Sequence, residues 1–450
     1  MSLLQFSETQ VQSLAPNPAA FTAGKKLSSK EQWQAFARSE RAVWGSIKGS
    51  GSNPYLVQID MLSLAYKCTC PSRQFPCKHS IALMLLHAAS EKLFSSQEEP
   101  EWVKGWMDKR SATPKEKHEE KPRTEEELEQ LEKSREKTQA NRLSGVQEGA
   151  AELTLWLKDL VRMGLLELPS KNHAEFERMA ARMIDAKAPG LAGWVRALGN
   201  LKYEQGKEWQ EDALAIISKL FLLLSALSRF DNLTPIWQQT IRNLAGWSQS
   251  TKELLADRDA ETLKDHWLVI GQEVETTPEE ITIQRNWLIG CNHHKQSLIL
   301  NFGTRFSNIE STVLPGTVIE GELAYFPSVW PQRGAMKIQR SVSNTLPAPP
   351  RAFDSWKHIH EYKIEQLKIN PWLNDIAVIL KDARLVQHGA SWIVCDTNKH
   401  FQQLPPTYDF EKALRWLALS GNRKLSMALV LRSNFAMPMG VFQDNTYHLL

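Results

Sequence analysis

Three of the chain's five cysteines and one histidine fall in a single short stretch: Cys68, Cys70, Cys77 and His79. Thiolate sulfur and imidazole nitrogen suit a borderline-soft divalent ion, and a Cys3His set is that of a closed tetrahedral zinc site. Cys68 and Cys70 are two apart, so on extended backbone both sulfurs point to one side. The residues up to Pro76 then bring the chain back to Cys77 and His79, where the four ligands can converge. One structural Zn2+ is expected, in preference to vacant thiols or a redox role. With four protein ligands no coordination position remains for a catalytic water. Crowding of this kind fits a metal site in a reducing compartment better than a disulfide framework. Cys291 and Cys395 read as incidental.

Such ligands need strands and a helix to hold them. The segment WGSIKGSGSNPYLVQID alternates like a two-stranded hairpin, its turn supplied by Gly49, Gly51, Asn53 and Pro54. A helix from His79 to about Ala89 would lay Ile81, Leu83, Met84, Leu85 and Leu86 on that hairpin and keep His79 in its first turn. Lys67, Arg73 and Lys78 stand beside Phe75 in the knuckle, a candidate nucleic-acid contact, because phosphate affinity grows with the cations brought to the backbone. The competing reading is that these residues only solubilise the knuckle.

Taken with the strands before it and the apolar helix after it, C-x-C-x6-C-x-H in the loop PSR-x-FPCKH resembles the SWIM zinc finger. Beyond it, phrases such as ARMIDAKAPGLAGWVR and LPGTVIEGELAYFPSVWP resemble bacterial SWIM zinc-finger proteins of about this size. The resemblance implies zinc binding and roles in binding DNA or proteins. It also implies a partner complex with a MoxR-type ATPase and a von Willebrand A domain protein.

The chain has 450 residues, 42% of them hydrophobic and 23% charged. That length exceeds the ~250–300 residues at which single cores stop growing, so several domains are expected. The expected fold class is multidomain α+β. Residues 1–107 hold a small zinc-stabilised ββα finger (about 42–90), and 108–143 read as a charged linker, with ten acidic and ten basic residues from Asp108 to Arg142. Within that linker TEEELEQLEKSREK has the composition of a solvated helix. Residues 144–255 read as a helical bundle: Leu153, Trp156, Leu157, Leu160 and Val161 form one face at helical spacing, and Trp194, Trp209, Phe221, Trp237 and Trp247 are expected anchors. An antiparallel β-rich domain comes next at 262–345, with a hairpin turn at Asn292–Lys295, and an α+β domain at 354–450 has helices near 355–367, 372–381 and 410–419. The linker makes independent motion of the finger an expectation.

Net charge is +3, but residues 1–89 carry nine basic against four acidic groups, so an anionic partner meets the N-terminal region first. The start MSLLQFSETQ shows no secretory signal and no stretch is apolar enough for a membrane span, so a cytoplasmic address is expected. Other constellations are weak. Cys291, His293 and His294 could hint at a second metal site but straddle a turn, and His358-x-His360-Glu361 reads as a solvated helix start. The stretch from Gly199 to Lys207 fails as a phosphate loop, and no nucleophile elbow or dinucleotide fingerprint occurs. Trp102 and Trp106, one turn apart, read as local packing before a partner contact. No small-molecule substrate is suggested. The expected function is a non-enzymatic adaptor in a multi-protein assembly, with DNA or RNA binding through the finger as the alternative.

Overall fold

The computed structural model describes residues 4, 6–49, 53–62, 64–72, 76–111, 125–203, 208–277, 280–304, 313–389, 391–421, 423–432, 435–443 and 446–450. Helix α1 (Glu8–Leu14) starts on a capping box in which Ser7 and Gln10 satisfy each other's backbone N–H groups. Helix α2 (Pro18–Lys25) starts on the side chain of Asn17, with Pro18 pre-set for the first turn. Strands β1 (Trp33–Arg38), β2 (Ala42–Ile47), β3 (Tyr55–Asp60) and β4 (Tyr66–Cys68) form one antiparallel sheet in that order. Helix α3 (Lys78–Ala89) packs on it and is buried from His79 through His87. A helix apolar on all sides is one that is surrounded on all sides.

The finger is therefore larger than the ββα unit expected, and its core is shared. Ile59, Ile81, Leu83 and Phe94 belong to one contiguous cluster with Trp267, Val269, Leu288 and Tyr325, which come from a β-barrel further along the chain. Gln10 donates through Nε2 to the Pro315 carbonyl at 3.0 Å, and Gln339 donates to the Leu62 carbonyl at 2.6 Å, fastening the two units. Helix α4 (Glu101–Ser111) sets Val103 and Met107 against Ala37 and Trp44, with Trp102 and Trp106 partly buried at its side.

Helix α5 (Glu125–Met163) begins inside the stretch expected as linker. Its C-terminal half buries Val146, Leu153, Leu157 and Leu160, and the run of helix formers before them propagates the helix backwards at one hydrogen bond per residue fixed. Helices α6 (His173–Asp185), α7 (Pro189–Gly199), α8 (Glu208–Leu227) and α9 (Pro235–Leu244) complete this core, and α10 (Thr251–Ala256) leads out of it. Trp209 is buried and Trp194 and Trp237 pack on the core, whereas Phe221, an expected anchor, lies 48% exposed on the outer face of α8. Trp247 stands between the guanidinium groups of Arg142 and Arg242.

Strands β5 (Thr262–Thr276), β6 (Thr282–Gly290), β7 (Gln296–Gly303), β8 (Val318–Tyr325) and β9 (Arg333–Ser343) close the barrel in the order β5-β6-β7-β9-β8. The unit expected as antiparallel is closed by one parallel pairing, Leu298 with Arg333 and Ile299 with Gly334. This order, with third and fifth strands parallel, is that of the oligonucleotide- and oligosaccharide-binding barrel.

Helix α11 (Trp356–Ile369) and α12 (Phe410–Ser420) cover one face of a six-stranded sheet ordered β12-β11-β10-β13-β14-β15. Its strands are β10 (Asp375–His388), β11 (Ser391–Cys395), β12 (Phe401–Gln403), β13 (Leu425–Arg432), β14 (Phe435–Gln443) and β15 (Thr446–Leu449). The other face meets the barrel, where a Cβ on Gly271 would stand 2.7 Å from Met439 Sδ. The helix expected at 372–381 is instead the start of β10. Ile376, Val378 and Leu380 face the helices while Ala377 and Ile379 face the barrel, so a strand buried on both sides shows no alternation. Among the described residues no helix is long and apolar enough to cross a membrane.

Candidate metal centre

The knuckle is placed by strand pairing on one side and a helix N-terminus on the other. Cys68 ends β4, opposite Val57 of β3. Just past it Thr69 clasps the same strand: its N–H donates to the Leu56 carbonyl at 3.1 Å and its hydroxyl accepts from the Leu56 N–H at 2.9 Å. This clasp fixes the chain between the end of β4 and the bend at Cys70. Cys77 is the N-cap of α3, with extended backbone at φ −73° and ψ 165°, and its carbonyl accepts the first helical hydrogen bond from Ile81. His79 sits inside the first turn, buried, with its ring 5.1 Å from that of Tyr55 on β3.

The result is four donor atoms, three sulfurs and one ring nitrogen, all within 4.8 Å of one another. His79 turns Nδ1 toward the sulfurs, 3.8 Å from Cys68 Sγ and 4.0 Å from Cys77 Sγ. Donors around a tetrahedral zinc stand about 3.5–3.8 Å apart, given bonds of ~2.3 Å to sulfur and ~2.0 Å to nitrogen, so the group fits the ion. Charge within the cluster is already uneven. Cys68 hydrogen-bonds Cys77, and with His79 and Ser80 also bonding its sulfur, the Cys77 thiol is drawn down despite burial. That same hydrogen bond, then burial, pushes Cys68 up, while burial first of all pushes Cys70 up. Cys77 thus stands at the helix N-terminus, where the helix dipole favours a thiolate ligand.

Of the candidate nucleic-acid contacts, Lys67 and Lys78 are exposed at the knuckle, and Arg73 and Phe75 lie outside the described residues. A cavity of about 910 Å³ opens beside the ligands, walled by Ala20 and Leu27 of the α2 region, Ile47, Tyr55, Cys70 and His79, with Lys48 and Lys78 at its edge. Ligand spacing gives no hint of the contribution of α2, although Asn17-Pro18 is a legible helix start.

The other histidine constellations resolve into structural roles. Asp265, with a fully buried carboxylate, accepts from the N–H groups of His266, Asn292 and His293 at 2.6–2.9 Å and from His293 Nδ1 at 3.0 Å, clasping the turn after β6. His294 Nδ1 accepts from the Arg351 N–H instead, and burial pushes the Cys291 thiol up to about 12. Among the described residues no second cluster of three metal-ligating groups occurs. His358 bonds the N-cap Ser355, and His360 stacks on Trp356.

Comparison with known families matches residues 55–88 to the SWIM zinc finger and residues 141–245 to the SWIM-associated four-helix bundle domain. No curated protein and no solved structure matches the chain. The ligand set, its geometry and the family match agree on a structural zinc held by Cys68, Cys70, Cys77 and His79.

Proposed function

We propose that this chain, which carries a SWIM zinc finger and the SWIM-associated helical domain, is a non-enzymatic adaptor joining protein partners in one assembly. The observation that carries this reading is the outer face of α8. From Ala213 to Leu227 the one charged residue is Lys219, and it is engaged: its Nζ donates to Asn374 at 3.0 Å and its carbonyl accepts from Trp372 Nε1 at 2.9 Å. Leu214, Phe221 and Leu222 are exposed, at positions that helical periodicity places within one face. An uncharged apolar stripe of this kind suits an apolar helix of a partner. The zinc supports the reading by fixing the knuckle's shape, since four protein ligands leave no position for chemistry.

Co-expression with the MoxR-type ATPase and von Willebrand A protein of the same organism tests it. A salt-tolerant complex that is lost in Phe221→Glu while that variant keeps its zinc is expected. A complex indifferent to Phe221→Glu, or none at all, would overturn the assignment of this face.

A second reading, DNA or RNA binding by the finger, rests on exposed Lys48, Lys67 and Lys78 around the knuckle. It requires affinity that falls steeply with salt and weakens in Lys78→Glu. The barrel does not strengthen it: the face of its second and third strands, where such barrels bind strands of nucleic acid, is roofed by residues of α9 and by Trp372.

A further inference from the structure

On the barrel's outer face three residues stand side by side. Trp287 of β6 pairs with Leu298 of β7, and Leu298 pairs with Arg333 of β9. Directly opposed residues share a face, and strands are ~4.8 Å apart, so the Trp287 and Arg333 backbones flank Leu298 at a separation of about 10 Å. All three line a cavity of about 400 Å³. Its roof comes from elsewhere: Thr240 and Asn243 of α9, and Trp372 just before β10. Phe326 and Trp330 add aromatic walls.

Two donors here lack acceptors. Trp287 is fully buried, and its indole Nε1 has no hydrogen-bond partner. An indole N–H can only donate, and a buried donor left unpaired costs free energy. The Arg333 guanidinium is also largely buried, its Nε is unpartnered, and burial lowers its pKa. Among the described residues no carboxylate pairs with it; its neighbours are the rings of Phe326, at 4.2 Å, and Phe302, at 5.7 Å. Asp375 lines the same cavity but is bound to Arg432, Nε to Oδ2 at 3.2 Å.

We propose that this junction cavity binds a small ligand made of a flat ring bearing an anionic oxyacid, carboxylate or phosphate. An arginine held over aromatic rings presents a planar fork that matches either group. Three aromatic walls besides Trp287 suit a flat apolar body, and a volume of about 400 Å³ admits one such molecule and excludes a polymer. Because the walls come from three parts of the chain, an occupant would tie them together. The proposal is independent of the zinc and of the adaptor reading.

Calorimetric titration of the full chain with benzoate, phenyl phosphate and neutral benzamide tests it. Binding of one or both anions, with benzamide at least about tenfold weaker, is expected, and the tighter anion identifies the oxyacid. Arg333→Met should abolish anion binding and Arg333→Lys should retain part of it. Should Arg333→Met fail to fold, Leu300→Trp, which fills the cavity from the same face, should block binding with the melting transition kept. Equal binding of benzamide, anion binding that survives Leu300→Trp, or no binding to the wild type at millimolar concentration would each overturn the proposal.

Discussion

Two residues at α3 carry opposite kinds of information. Cys77 belongs to a pattern legible in the chain, because C-x-C-x6-C-x-H names its own ligands. Replacing it by serine removes one of the three sulfur ligands; Cys77→Ser should lose the single zinc, read as metal content per chain. His87 is invisible to pattern reading, an ordinary residue in an apolar helix. Yet it is fully buried, both ring nitrogens lack partners, and it lies between the rings of Phe6 and Phe94. Burial, with a smaller contribution from Arg38 and against the pull of Glu91, lowers its pKa from 6.5 to about 4. The unfolded chain therefore takes up this proton first. Stability is fully present above pH about 6.5 and falls as pH drops toward about 4, by roughly 3 kcal/mol for this group alone. His87→Leu should flatten that part of the stability-versus-pH curve, measured by urea unfolding; an unchanged slope would sink the assignment.

Among elements, the contact between α2 and α3 decides whether the finger has its full form. Gly24 of α2 lies so close to α3 that a Cβ there would meet Ile81 Cγ2 at 2.5 Å and the Lys78 carbonyl at 3.2 Å. Gly24→Ala must push the helices apart, at a cost of about 1–3 kcal/mol typical of overpacking. It should lower the melting temperature while one zinc per chain remains, since no ligand lies on α2. Loss of zinc in that variant would mean that α2 positions the ligands as well. The elements also show where periodicity misleads. Hairpin and helix around the ligands are given by alternation and an apolar run, whereas β10 has apolar residues on both faces and so gives no period to distinguish strand from helix.

At the scale of the molecule, a charged linker predicts a finger that moves by itself, and the shared core argues for a docked unit. Leu83 and Val269 lie in the same apolar cluster. Chelating the zinc should therefore loosen more than the knuckle. Hydrogen exchange is expected to speed up in α3 and also in β5 and β8, whose inward residues Trp267, Ile319 and Leu323 complete that cluster. Faster exchange confined to α3 would show that the two units unfold separately.

Taken alone, the amino-acid order determined the metal and its four ligands, the helical character of the middle of the chain and the strand character of residues 262–345. Ligand type, short-range spacing and side-chain period are local properties, and local properties are written along the chain. What only the tertiary structure decided is what depends on distant segments meeting: the core common to finger and barrel, the exposure of Phe221, and the orphaned donors of Trp287 and Arg333. Trp287 reads as one more apolar residue until β7, β9 and the roof from α9 and Trp372 close around it. Burial and hydrogen-bond satisfaction are sums over neighbours far apart in the chain, and no window along the sequence contains them.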